Sequence, residues 1–119
     1  MDKKGICKLR EIHQAIARLD EDFSRKFGLG LNEAMVLCML SERKSASAGE
    51  LSRKLGLSRS NMSKVLSAVE QLGYVERTIG ADDKRVMFFS ITRAGKACLE
   101  RIDCGTLSVP AQMENLFSN

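Results

Sequence analysis

The sequence predicts a mostly α-helical chain with one small β-hairpin, and three observations lead there. Apolar residues recur every three or four positions along most of the 119 residues. That period gives way to β-branched and aromatic runs only between Tyr74 and Ile91. The chain also holds a single proline with 44% hydrophobic and 29% charged residues, the profile of a helix-rich globule rather than a disordered segment. Its length suits one domain, so residues 1–119 are read as a single unit.

From residue 5 to 27, Ile6, Leu9, Ile12, Ile16, Leu19, Phe23 and Phe27 define an amphipathic helix of about six turns with a narrow apolar seam. It is longer than a small domain needs to cover its own core, so part of the seam is expected to meet a second subunit. The alternative is a long helix lying across its own domain. His13, on the same helix, reads as a packing or interface residue. Glycines at 28 and 30 break the helix, and Asn32 is expected to cap a buried core helix over 32–43 that includes Cys38 as a small buried hydrophobe.

Residues 47–72 hold two short helices. Ser47 and Glu50 have the spacing of a capping box, and Gly56 suits the turn that ends the first helix. Ser58 caps the second and Gly73 stops it, a helix-turn-helix arrangement. On the second helix Met62, Val65, Leu66, Val69 and Leu72 form one apolar stripe, expected to face the core. Ser60, Ser63, Lys64, Ser67 and Gln71 project from the other side, without the Glu/Lys ladder of a merely solvated helix. Short hydroxyl side chains let a helix axis approach a groove floor, and the first turn, "SRSNMSK", offers backbone N–H groups and a positive dipole end to phosphates.

"YVERTI" and "RVMFFSI" flank "GADDK", so residues 74–91 are predicted to be a two-stranded hairpin. A helix-turn-helix followed at once by a charged hairpin is a winged helix. Lys84 and Arg85 at the wing tip are placed to meet a phosphate backbone or a minor groove, where negative potential favours an inserted arginine. Asp83 and Arg85, two apart on what reads as an extended segment, leave the same face, and the carboxylate can orient the guanidinium. An idle solvent-exposed ion pair is the competing reading. Thr92 caps a further helix, and the region 92–118 ends in "VPAQMENLF", a short helix with Pro110 in its first turn.

Charge agrees with this placement. The net charge is +4, and residues 47–96 carry nine Lys/Arg against five Asp/Glu. A locally basic stretch points modestly to nucleic acid.

Together these residues resemble the MarR family of bacterial winged helix-turn-helix transcriptional regulators. The resemblance covers roughly residues 5–103. Asp83-Lys84-Arg85 followed by Ile91-Thr92 matches the family's D-x-R-x5-[LI]-T wing pattern, and "LSRKLGLSRSNMSKVLSAVEQLGYVER" is similar to its recognition segment. The resemblance implies a DNA-binding domain flanked by N- and C-terminal dimerisation helices. It places Ser58, Arg59, Ser60, Asn61, Ser63 and Lys64 in a major groove of double-stranded DNA. It further implies Lys84 and Arg85 at the adjacent backbone and minor groove, with Asp83 as orienting residue. A homodimer on a pseudo-palindromic operator, acting as a repressor under the control of a small-molecule effector, is the implied function. Because the last helix has only about two turns, the first is expected to supply more of the dimer interface. Some members sense peroxides through a cysteine near the start of the first helix, where Cys7 lies; Cys7 is therefore either such a sensor or an inert terminal thiol.

A second function class is a winged-helix module that docks protein without specific DNA binding; salt-sensitive DNA binding separates the two. An enzyme is not expected, since the sequence has no phosphate-binding glycine loop, no nucleophile elbow and no His/Cys cluster at metal-ligand spacing. No cofactor or metal is called for, and the four cysteines, lacking C-x-x-C spacing, suit reduced thiols in a cytoplasm. The opening residues show no secretory h-region and no stretch approaches a membrane span, so a cytoplasmic protein is expected.

Overall fold

In the computed structural model, residues 2–80 and 82–104 are described. They group into two compact units, one ending at Gly30 and the other beginning at Leu31. The expected helix over "VPAQMENLF" lies outside the described residues.

The first unit contains α1, Lys3–Phe27. Its start is fixed by Asp2, whose carboxylate accepts the Gly5 N–H at 2.8 Å, a cap the sequence reading passed over. Its end is fixed by Gly28, in the left-handed conformation at φ 79°, whose N–H reaches the Ser24 carbonyl. Arg25 and Lys26 in the last turn complement the helix dipole. Ala15 and Phe23 are buried and the Phe23 and Phe27 rings meet at 4.8 Å, whereas Ile6, Leu9 and Ile16 are exposed. The seam read from the sequence is therefore split, with its N-terminal apolar part open to solvent.

The second unit runs α2 (Leu31–Ser41), β1 (Ala46–Ser47), α3 (Ala48–Leu55), α4 (Arg59–Gln71), β2 (Val75–Ile79), β3 (Met87–Ile91) and α5 (Arg93–Cys104). Its core is built by Val36, Leu37 and Leu40 of α2, Leu51 of α3, Met62, Val65, Leu66 and Val69 of α4, Val75 of β2, Phe89 of β3 and Cys98 of α5.

Two expectations for α2 are corrected. The helix begins at Leu31, so Asn32 lies inside its first turn and does not cap it; Gly28 alone turns the chain, which is helical again three residues later. Cys38 is exposed, not buried. An all-apolar run hides its own orientation, and Val36, Leu37 and Leu40 take the inner face while Met35 and Cys38, three apart, share the outer one.

The sheet has three antiparallel strands in the order β1-β3-β2, where the sequence reading expected two. β1 is only two residues long, too short to show alternation, and pairs Ala46 with Phe89 and Ser47 with Phe88. Ser47 then serves as N-cap of α3. Its hydroxyl accepts the Glu50 N–H at 3.2 Å and its own N–H donates to the Glu50 carboxylate at 3.3 Å, the capping box read from the sequence. Gly56, at φ 67°, ends α3, and Ser58 caps α4 by accepting the Asn61 N–H at 3.1 Å.

Leu72 departs from the predicted core stripe. It is 45% exposed because α4 ends at Gln71, so Leu72 falls at the cap, beyond the last residue held on the helix's buried face. Gly73 then turns the chain at φ 79°.

Thr92 closes the second unit at the wing's root. Its hydroxyl donates to the Gly73 carbonyl at 2.7 Å and accepts the Gly95 N–H at 3.1 Å, so one side chain caps α5 and ties it to the exit of α4. Gly95 completes this joint. A Cβ there would stand 2.3 Å from the Tyr74 carbonyl oxygen, so only glycine lets α5 approach the start of the wing so closely.

Candidate nucleic-acid interface

The N-terminal half of α4 separates its two faces cleanly. Met62, Val65 and Leu66 are buried, while Ser58, Arg59, Ser60, Asn61, Ser63 and Lys64 are all exposed. The helical period sets Ser60, Ser63 and Lys64 opposite the buried stripe, with Arg59 and Asn61 on its flanks and Ser58 at the cap. Ser58 occupies the Asn61 amide through its hydroxyl and the Met62 amide through its carbonyl, which leaves the Arg59 and Ser60 amides as the open donors of the first turn. Short side chains, an arginine, a lysine and unpaired helix N–H groups together form a surface suited to an anionic, hydrogen-bonding groove.

The wing tip is a tight turn, which corrects the extended geometry expected for Asp83 and Arg85. The Val86 N–H donates to the Asp83 carbonyl at 3.1 Å, closing a four-residue turn, and the Gly80 N–H donates to the Val86 carbonyl at 2.8 Å. Within that turn the Asp83 carboxylate accepts the Arg85 backbone N–H at 3.0 Å, an Asx turn, and also grips the guanidinium through Nε at 3.1 Å and Nη2 at 3.2 Å. Arg85, first through its guanidinium and then through its backbone N–H, holds the Asp83 carboxyl below the ordinary carboxylate range. The pairing that the sequence suggested is thus made, although by a turn and not by strand alternation. Gly80 supports it at close quarters, because a Cβ there would lie 2.8 Å from the Asp83 carbonyl oxygen and 2.9 Å from the Phe88 ring. Arg85 itself is 91% exposed, oriented by the chain yet touching little of it. Lys84 is exposed beside it.

The sequence reading missed an ion pair at the root of the wing. Arg77 on β2 donates to Glu70 of α4 through Nε and Nη2, both at 2.6 Å, and lies over the ring of its cross-strand neighbour Phe89, 5.5 Å from the centroid. The Arg77 fork pulls the Glu70 carboxyl below its ordinary range, and Glu70 in turn raises Arg77. One signal was present: a glutamate in the last turn of a helix sits against the dipole and calls for a compensating cation. Arg77 also borders a concavity of about 360 Å³ between the helices and the sheet, shared with Arg59, Ser63, Ser67 and Phe89.

Cys7 is exposed on α1 and Cys98 is buried on α5. Among the described residues no group of three or more His, Cys, Asp or Glu could hold a metal ion, and no helix is long and apolar enough to cross a membrane.

Two helices across a tight turn, followed by a small sheet whose last hairpin ends in an oriented arginine, define a winged helix-turn-helix protein. The chain belongs to the MarR family, whose family model matches residues 29–87. Its members are transcriptional regulators and not enzymes. The chain is 29% identical over 110 residues to the HTH-type transcriptional regulator PapX of Escherichia coli, a match covering 91% of this chain and 65% of PapX. It is 29% identical over 77 residues to the transcriptional repressor MprA of Escherichia coli K12, covering 61% of this chain and 44% of MprA. The solved structure of the transcriptional regulator Tm0710 from Thermotoga maritima superposes with a TM-score of 0.64 at 27% identity, over 86% of this chain and 72% of that one. The chain therefore matches about two thirds of the length of PapX and less than half that of MprA.

Proposed function

We propose that this chain is a sequence-specific double-stranded DNA-binding regulator, a repressor working in the cytoplasm as a homodimer on a pseudo-palindromic operator under small-molecule control. Residues 1–119 act as one winged-helix domain in this reading. Ser58, Arg59, Ser60, Asn61, Ser63 and Lys64 enter a major groove, Lys84 meets the flanking backbone, and Arg85, oriented by Asp83, enters the adjacent minor groove. The observation that carries the reading is the wing tip. A guanidinium held by two side-chain bonds and an Asx turn, yet 91% exposed, is pre-oriented for something outside the chain. The repressor named among the relatives, MprA, supports the direction of control. The open apolar residues Ile6, Leu9 and Ile16 of α1 support a second copy as partner.

Selection of sites from a random duplex pool, repeated at several salt concentrations, tests the proposal. Enrichment of an inverted repeat with half-sites roughly 34 Å apart and a steep salt slope is expected. Failure to enrich any sequence would end it in favour of a module that docks protein.

A further inference from the structure

Arg77 would ordinarily be counted with the DNA-binding cations of a basic wing. Its surroundings assign it another task. Glu70 takes its Nε and Nη2 at 2.6 Å, and its Cζ lies over the Phe89 ring, so much of its charge is already answered inside the chain. By contrast, among the described residues Arg59, Lys64 and Lys84 make no ion pair. The elements joined are the ones that must be set against each other. Glu70 lies in the last turn of the helix whose N-terminal half carries Arg59 to Lys64, Arg77 lies on β2, and Phe89 is the central residue of β3, paired on its other side with Ala46 of β1. A bidentate arginine fork fixes an angle as well as a distance, because both N–H···O bonds hold only when guanidinium and carboxylate are coplanar. Glu70 is also a costly choice in the last turn of a helix unless a cation answers it.

We propose that Glu70 and Arg77 are positioning residues, a clamp seated on Phe89 that sets α4 against the wing so that the α4 N-terminus and Arg85 reach DNA in a single geometry. The clamp rests on the DNA-binding reading above for its consequence, but its mechanical part does not. A clamp of this kind serves discrimination between sequences more than bulk affinity. Non-specific binding needs only phosphate contacts, which tolerate small changes of angle, whereas base-edge contacts do not.

The test uses the full chain with Glu70→Gln, Arg77→Gln and the double variant, and Arg77→Lys as a milder change should Arg77→Gln lower the melting temperature too far. Each single variant is expected to lose about 5–10-fold in affinity for the selected site while changing by less than about twofold on a scrambled duplex. The double variant is expected to lose no more than either single one, and the salt slope to stay at its wild-type value. A salt slope reduced by about one in Arg77→Gln, with equal weakening on every duplex, would instead make Arg77 a phosphate contact and overturn the clamp. Wild-type discrimination in all variants would overturn it too. A DNA-free measurement separates this failure from failure of the functional reading. Residual dipolar couplings of the α4 and β2–β3 amides are expected to fit one alignment frame in the wild type and to lose that common fit in Glu70→Gln. An unchanged common fit sinks the clamp whatever the DNA experiments show.

Discussion

The wing carries two bidentate arginine–carboxylate pairs of the same chemistry and opposite character. At the tip, Asp83 and Arg85 are two residues apart, and the arginine is 91% exposed. At the root, Glu70 and Arg77 are seven apart, belong to a helix and a strand, and are both partly covered, with a ring beneath the guanidinium. In the proposed function the tip pair orients a cation for an external partner, whereas in the proposed clamp the root pair uses a cation to hold two elements together. Identical functional groups thus divide into a binding device and a structural one according to what else the guanidinium touches.

The sharpest way to break this contrast is Arg85→Ala. Affinity for the selected operator is expected to fall on the order of tenfold or more, with thermal melting unchanged. Unaltered affinity by fluorescence anisotropy would mean that the tip does not touch DNA and that both pairs are internal. At the root the largest effect should be on stability. Gly95→Ala drives a methyl group against the Tyr74 carbonyl oxygen and should cost about 1–3 kcal/mol, read as a lower denaturant midpoint. A neutral result would show that α5 can slide away from the wing's root.

Asp83→Asn is a finer probe of the tip. The amide oxygen can still accept the Arg85 backbone N–H, so the turn should survive, but the charge that grips the guanidinium is gone. A loss of about threefold to tenfold in operator affinity is expected, smaller than for Arg85→Ala, and equal losses would show that orientation is everything. The smallest effect concerns pH. Arg77 holds the Glu70 carboxyl below its ordinary range, so the pair stabilises the fold at neutral pH, and that contribution disappears as the pH falls through the depressed value and Glu70 takes up a proton. Wild-type melting temperature should therefore drop slightly more steeply than that of Glu70→Gln as the pH is lowered from about 5 to 3. Parallel curves would show that the root pair adds nothing to stability.

Features whose physics is local could be read directly from the sequence. Ser47 with Glu50, Ser58 before Arg59, Gly56 and Gly73 are caps and turns completed within a few residues, and each stands in the structure as its spacing required. The buried stripe from Met62 to Val69 and the open face from Ser60 to Lys64 follow from the helical period alone. The tip pair was legible for the same reason, since Asp83 and Arg85 are neighbours whatever the wing does around them. Its turn geometry was not, because a D-x-R spacing suits both a strand and an Asx turn.

What stayed hidden depends on residues far apart in the chain. β1 has no pattern of its own and exists only because β3 offers it an edge. Cys38 sits in a run too uniformly apolar to show which face turns inward. Thr92 announces itself as a cap, but its grip on Gly73 nineteen residues away appears only once α4 and α5 are folded together. The same holds for Glu70 and Arg77. The sequence by itself determined where α3 and α4 begin and where the chain turns after them, which face of α4 is free, and that an arginine and an aspartate share the wing tip, since these follow from short-range sterics and hydrogen bonding. Only the tertiary structure decided which cations remain free for a partner, because a charge is committed or available according to what the folded chain brings beside it.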